Sequence, residues 1–285
     1  MEIKTVESVD EFKDNDAYHR DTKFVTSSML KCLRESPRLY ESKYVKGEVP
    51  QERKRAFDIG HAVHTKVLEP QEYAERFAVE SEGVNRRTKE YQAMKRDAMA
   101  AGKVLLSSDD NRLVERAESS LRKHPIISRI LEAEGDVERT LTWTDAATGV
   151  LCKFRADKMV HPLALPRMLF DIKTAADSGE RGFTMSAAKF GYHLQAAHYI
   201  EGAASVTGTN VADWMLVFGV VRTDHPFDSF AYQLDQRSLD SAFELRTRLL
   251  RSLKQRTDDN DFAAFGEAEL VTITLPDWAL TENVK

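Results

Sequence analysis

Two short segments carry residue types from which chemistry could be built. They are Phe154-Arg155-Ala156-Asp157 and Leu169-Phe170-Asp171-Ile172-Lys173. Alternation along a strand predicts that Asp171 and Lys173 point to one exposed face, while Phe170 and Ile172 point to the other, buried one. The same parity puts Lys153, Arg155 and Asp157 on one face of the preceding strand. If the two strands are neighbours, Asp157, Asp171 and Lys173 converge at one end of a sheet. Two hard carboxylate oxygens from different strands suit Mg²⁺ or Mn²⁺, leaving positions for water and a phosphate oxygen. Such an ion lowers the pKa of its bound water and neutralises charge developing on a phosphodiester. Lys173 would orient that water or help to deprotonate it, and a place beside the ion favours a depressed pKa.

An Asp-X-Lys triplet by itself is ordinary on a solvated strand face, so two further groupings matter. Gly60-His61-Ala62-Val63-His64 lies in a predicted helix that Leu68-Glu69-Pro70 closes. In Gln195-Ala196-Ala197-His198-Tyr199 the Gln and Tyr are four apart and share a helix face. Each grouping alone is more often structural than functional. A structural zinc site made of His64, Asp157 and Asp171 would lack thiolates and leave Lys173 unused. For phosphate contacts, Arg86, Arg87 and Lys89 form the densest basic cluster. Lys153 and Arg155 share the carboxylates' expected face, and Arg155 has the planar fork that matches phosphate oxygens. Gln51-Glu52-Arg53-Lys54-Arg55 is a further basic run, equally readable as a solvated loop. Backbone contacts of this kind position a nucleic acid without reading its sequence.

The elements that must hold these residues follow from periodicity. Thr26-Ser27-Ser28 caps a helix that Pro37 breaks, and a second helix runs from about Phe57 to Leu68. Tyr91 to Ala101, Asp110 to Lys123 (opened by Ser107-Ser108-Asp109) and Pro125 to Leu131 are helices as well. From Asp136 the period drops to two. Val137 to Trp143 and Val150 to Val160 form a hairpin around Asp145-Ala146-Ala147-Thr148-Gly149. His161 to Arg167 is a loop, Met168 to Lys173 a strand and Phe190 to Val206 a helix. Trp214 to Val221 and Phe227 to Leu234 are strands, Leu239 to Leu253 is an amphipathic helix, and Leu270 to Leu275 could add an edge strand. The expectation is one α/β domain: a helical portion over 25–135, a sheet-containing core over 136–255 and a polar tail over 256–285.

Composition sets limits without choosing a function. Hydrophobic residues make up 42% and charged residues 31% of 285, as in soluble globular chains. The longest strongly apolar stretch, Met215 to Val221, is far short of the roughly 20 residues needed to cross a bilayer. The first residues lack the layout of a signal peptide, so a cytoplasmic location is expected, with no membrane partner. A net charge of −5 leaves room for a local basic track. Cys32 and Cys152 are read as buried free thiols.

In chain order, Gly-x-x-x-His, Asp, Asp-x-Lys and Gln-x-x-x-Tyr resemble the RecB-like branch of the PD-(D/E)XK nucleases, and within it the RecE-type exonucleases of the exonuclease VIII group. Ser28-Met29-Leu30-Lys31, Ser36-Pro37-Arg38-Leu39-Tyr40, Leu68-Glu69-Pro70 and Asn85-Arg86-Arg87-Thr88-Lys89 carry the narrower likeness, which spans about Val25 to Leu253. The resemblance implies a restriction-endonuclease-like α/β core, with a central mixed sheet flanked by helices and a helical N-terminal portion. It implies that His64, Asp157, Asp171 and the Ile172 carbonyl bind a metal ion, that Lys173 is the catalytic lysine, and that Gln195 and Tyr199 position lysine, water or DNA. Glu138, on the first strand of the hairpin, would be an accessory acid. The implied activity is Mg²⁺- or Mn²⁺-dependent digestion of linear duplex DNA from its ends, 5′ to 3′, leaving 3′ single strands for recombination. A homo-oligomer such as a tetrameric ring and a RecT-like annealing protein are the implied partners. The alternatives are an endonuclease or a flap or single-strand nuclease using the same residues, and a non-catalytic DNA-end-binding module. Two cysteines cannot hold the four-cysteine iron–sulfur cluster of some RecB-like enzymes, so no such cluster is expected.

Overall fold

The structure, a computed structural model, describes residues 18, 20–50, 55–161, 167–264, 266–267, 270 and 272–275. Helix α1 (Ser27–Glu35) starts where the Thr26 hydroxyl accepts the Met29 amide at 3.2 Å. It ends because Ser36 precedes a proline and takes extended backbone. Ser36 then caps α2 (Pro37–Tyr40) through the Leu39 amide. α3 (Arg55–Leu68) buries Ile59, Ala62, Val63 and Val67. After the short α4 (Tyr73–Arg76) come β1 (Phe77–Val79), α5 (Lys89–Ala100) and β2 (Val104–Leu106), with β1 and β2 pairing in parallel. α6 (Ser108–Lys123), capped by Ser107, and α7 (Pro125–Glu132) complete the helical portion.

The hairpin departs from its reading as two continuous strands. Its first arm is β3 (Gly135–Val137) and β4 (Thr140–Thr144); its second is β5 (Leu151–Arg155) and β6 (Lys158–Val160). β4 pairs only with β5, whereas β3 and β6 join the main sheet. Val137 opposite Lys158 and Thr140 opposite Arg155 keep one register, so both arms break at the same level. Glu138 makes the break with a positive φ of 49°, which is costly for a residue with a β-carbon. Its amide still donates to the Asp157 carbonyl at 3.1 Å.

The main sheet runs β3-β6-β7-β8-β9, with β7 (Met168–Ala175), β8 (Met215–Arg222) and β9 (Ser229–Tyr232). β7 and β8 are parallel. Their crossover consists of α8 (Glu180–Phe190), absent from the sequence-based reading, and α9 (Tyr192–Thr207). A parallel pair needs such a connection, and the connection covers a sheet face. Met168, Phe170 and Ile172 face a core shared with α3, α6 and α7, while Leu169 faces one shared with α1, α9 and the last helix, α10 (Gln236–Asp259). The expected alternation therefore holds, but neither face is open. Asp171, expected on a solvent face, is 2% exposed. Residues 270 and 272–275 form no strand, and Leu270 is fully exposed. No helix among the described residues is long and apolar enough to cross a membrane. Both cysteines are free and buried.

Candidate active site and metal centre

β7 delivers Asp171 and Lys173 to one spot, two residues apart on the same side, and their side chains form an ion pair. Asp157 arrives from the break between β5 and β6. Its Oδ2 accepts the Ile172 amide, which ties the broken arm to the centre of β7. α3 supplies His64, whose Nδ1 lies 3.2 Å from the same Oδ2. Gly60, one helical turn before it, lies against Thr174 on β7, so the helix is aimed at the strand end. α9 supplies Gln195, whose amide donates to Asp171 Oδ1 at 2.6 Å. Tyr199, one turn further on, is buried, hydrogen-bonds Gln195 and leans on Phe154 at 5.1 Å between ring centroids.

Glu138 completes the arrangement. One ligand atom each from His64, Glu138 and Asp157 lies within 4.8 Å of the others, the size of a metal-binding group. The expected ligand set gave Asp171 that place and Glu138 an accessory one. In the structure Asp171 stands beside the triad rather than in it, and Glu138 is inside. The hairpin register places Glu138 directly opposite Asp157, and opposed residues of an antiparallel pair share a face, so the two carboxylates lie on one side. The signal was the acid itself, facing Asp157 across a hairpin whose register was legible.

The electrostatics are those of crowded acids. Burial pushes the Glu138 carboxyl up to about 7, with the Asp157 charge adding to the effect. Burial and Asp157 likewise raise Asp171, against the pull of Lys173. For Asp157, burial is outweighed by His64, Lys173 and the Ile172 amide, and its carboxyl sits below the usual range. Burial works against a charged His64, but Asp157 overcomes it and holds the imidazole at about 9. Burial lowers Lys173, yet Asp171 and Asp157 prevail and keep it above the ordinary lysine value while no ion shares their charge. Asp171 Oδ2 is buried and, despite the nearby ammonium, receives no well-directed hydrogen bond. A buried carboxylate oxygen held only by its ion pair with Lys173, beside a His-Glu-Asp triad, fits a divalent cation, and oxygen-plus-imidazole donors suit Mg²⁺ or Mn²⁺.

The residues assigned to DNA divide. Arg155 remains at the rim, half-buried, with Nε donating to Thr140 Oγ1 at 2.8 Å and its charge felt by Glu138. Lys153 does not. It is fully buried, and its ammonium donates to the carbonyls of Tyr18 and Asp21 at 2.6 and 2.7 Å, so it cannot meet a phosphate. The strand break separates it from Asp157. Arg86 is held by Glu80 at 2.9 Å, while Arg87 and Lys89 are exposed. All three stand at or just before the start of α5, which packs on β2. Of the basic run before α3, 51–54 lie outside the described residues, and Arg55 pairs with Asp110.

Two site neighbours escaped sequence reading. Tyr192 lies on the Gln195 face of α9, at i, i+3, i+7 with Gln195 and Tyr199, and its ring centroid is 4.9 Å from the Lys173 ammonium. Lys31, from α1, points at the same ring. Its signal was a single charge inside the apolar run Met29-Leu30-Lys31-Cys32-Leu33.

Comparison with known proteins agrees with this architecture. A crystal structure from Eubacterium rectale described as a "putative exonuclease" superposes over 100% of both chains with a TM-score of 0.60 at 12% identity, a likeness of fold. The structure of SSO0001 aligns over 79% of this chain and 86% of its own at 15% identity, but its TM-score of 0.25 supports no argument. No curated protein matches the sequence. The family described as "PDDEXK-like domain of unknown function (DUF3799)" matches residues 26–271, nearly the whole of the fold above, and the chain belongs to that family.

Proposed function

We propose that this protein is a Mg²⁺- or Mn²⁺-dependent exodeoxyribonuclease that digests linear duplex DNA, 5′ to 3′, in the manner of RecE-type enzymes. The observation that carries the reading is the Asp171–Lys173 pair lying beside the His64–Glu138–Asp157 group. Three carboxylates meet Lys173 and His64 there, with Arg155 at the rim, inside a PD-(D/E)XK fold. His64, Glu138 and Asp157 would hold an ion, with Asp171 Oδ2 and the Ile172 carbonyl at its edge. When bound, the ion supplies charge neutralisation at a phosphate oxygen and acidifies a water. Lys173, kept protonated by Asp171 and Asp157, orients the attacking water and neutralises charge on the phosphate. Gln195, fixed by Tyr199, prevents Asp171 from swinging away from that lysine. Arg155 is placed to take an adjacent phosphate. The homo-oligomeric ring, the RecT-like partner and the role in recombination belong to this proposal through the sequence resemblance.

The test is digestion of DNA labelled at the 5′ or the 3′ end, beside covalently closed circles, with Mg²⁺, Mn²⁺ or EDTA. The proposal expects early release of the 5′ label, intact circles and no reaction in EDTA. Cut circles would make the enzyme an endonuclease, and inert wild-type protein would overturn catalysis altogether.

A further inference from the structure

Lys31 reaches the site from a helix that contributes none of the residues above. Its aliphatic stem packs on Gly191, where an added Cβ would lie 3.3 Å from it, and its ammonium stands 5.5 Å from the Tyr192 ring centroid. The Lys173 ammonium stands 4.9 Å from the same centroid. One phenol ring thus carries two ammonium groups, only one of which has a carboxylate partner. Among the described residues no carboxylate pairs with Lys31, although most of the side chain is withdrawn from water. Burial and the Lys173 charge oppose its protonation and outweigh the pull of the Asp171 charge, lowering it to about 8. One turn along α1, Arg34 lies 3.5 Å from His193, the residue after Tyr192. The cations therefore run outward from Lys173 to Lys31 and then Arg34.

We infer that Lys31 is a second phosphate-binding lysine, gripping the phosphodiester next to the one attacked, with Arg34 extending the same track along the strand. The inference rests on the nuclease reading and adds to it the path of the substrate beyond the metal-binding group. A strand leaving the site along α1 would meet ammonium, then guanidinium, with the Tyr192 ring as the floor between them. That arrangement suits backbone contacts and is indifferent to base sequence.

The test compares wild type with Lys31→Gln, Lys31→Arg and Arg34→Gln in steady-state digestion of linear duplex DNA across a KCl series. Losing one charge-assisted contact should raise KM about tenfold with little change in kcat. It should also make the dependence of log(kcat/KM) on log[KCl] shallower by about 0.7 to 0.9. Lys31→Arg should recover both, which a packing role would not require. Arg34→Gln, at an exposed position, should show the same shallower slope in a protein whose core is untouched, so misfolding of Lys31→Gln would not rescue the idea. An active wild type whose Lys31→Gln and Arg34→Gln variants keep its KM and salt slope overturns this inference alone. An inert wild type overturns the nuclease reading and this inference with it.

Discussion

Two buried clusters in this molecule are built around carboxylates, with opposite charge balance. At the β4–β5 turn, Asp145 accepts the Thr148 amide at 3.0 Å and its hydroxyl at 2.6 Å, and meets Arg246 of α10 at 2.9 Å. Burial raises this carboxyl, but Thr148 and Arg246 together outweigh it and hold it below the ordinary range. One acid and one guanidinium balance in charge, although Arg246 Nε and Nη2 have no well-directed acceptor. At the other cluster Glu138, Asp157 and Asp171 face Lys173 and a histidine that is charged only while protonated. Glu138 and Asp171 are pushed up instead of down. The difference separates a charge pair that fixes a fold from an acid surplus that calls for a cation.

Substitutions should break the two clusters in different currencies. The largest effect expected is on turnover. Asp157→Asn, which keeps an acceptor for the Ile172 amide, and Lys173→Ala should each lower the nuclease rate about a thousandfold or more, roughly 4 kcal/mol of barrier. Both should remain folded by circular dichroism, and wild-type digestion by either would remove the site assignment. Next in size, Arg246→Ala strands Asp145 in the core and should cost about 3 kcal/mol in urea unfolding, because a buried charge loses its partner. Activity per folded molecule should stay unchanged. If Arg246→Ala abolished cleavage in fully folded protein, the contrast between the clusters would fail.

The sequence revealed one cluster far better than the other, for a physical reason. Asp171, Lys173, Gln195, Tyr199 and His64 sit at spacings that strand and helix periods translate into faces, and the structure does bring them together. Asp145 was readable only as a turn residue, since its partner lies in a helix 101 positions away and nothing local marks the pairing. The bend at Glu138 was not legible because a left-handed backbone at a non-glycine residue leaves no trace in residue type. Lys153 followed the strand parity correctly, and the error lay in treating that face as open. α8 was missed because Gly179, its start, offers no side-chain cap. Local rules recovered the elements and the order of the motif, whereas coverage of the sheet depends on contacts distant in sequence.

Metal should sharpen the contrast further. Mn²⁺ at about a hundred times its Kd should stabilise the folded chain by about 2.7 kcal/mol, seen as a rise in Tm. Asp157→Asn should lose that rise, while Thr148→Ala, at the other cluster, should keep it. An equal rise in both variants would place the ion elsewhere.

A last effect expected is in the pH dependence of stability without metal, and its sign distinguishes the clusters. The Glu138 carboxyl, raised to about 7, holds a proton in the folded chain that the unfolded chain has already released, so stability falls as pH rises through that window. His64, raised to about 9, contributes fully below its ordinary value near 6.5 and loses that contribution as pH rises toward 9. Asp145 is shifted the other way. Its contribution is present above the ordinary carboxylate value, is lost only on acidification through the depressed one, and is flat over the same window. Metal-free protein should therefore lose stability steadily from about pH 5 to pH 9. Bound Mn²⁺ requires both groups to have given up their protons, so its affinity should climb over that range and the stability slope should flatten. Glu138→Gln and His64→Gln should each remove part of the metal-free slope, and Asp145→Asn none of it. A slope that survived in a Glu138→Gln, His64→Gln, Asp171→Asn triple variant would mean that the titrating groups lie outside this cluster, and the idea of a site poised by its crowded acids would go with it.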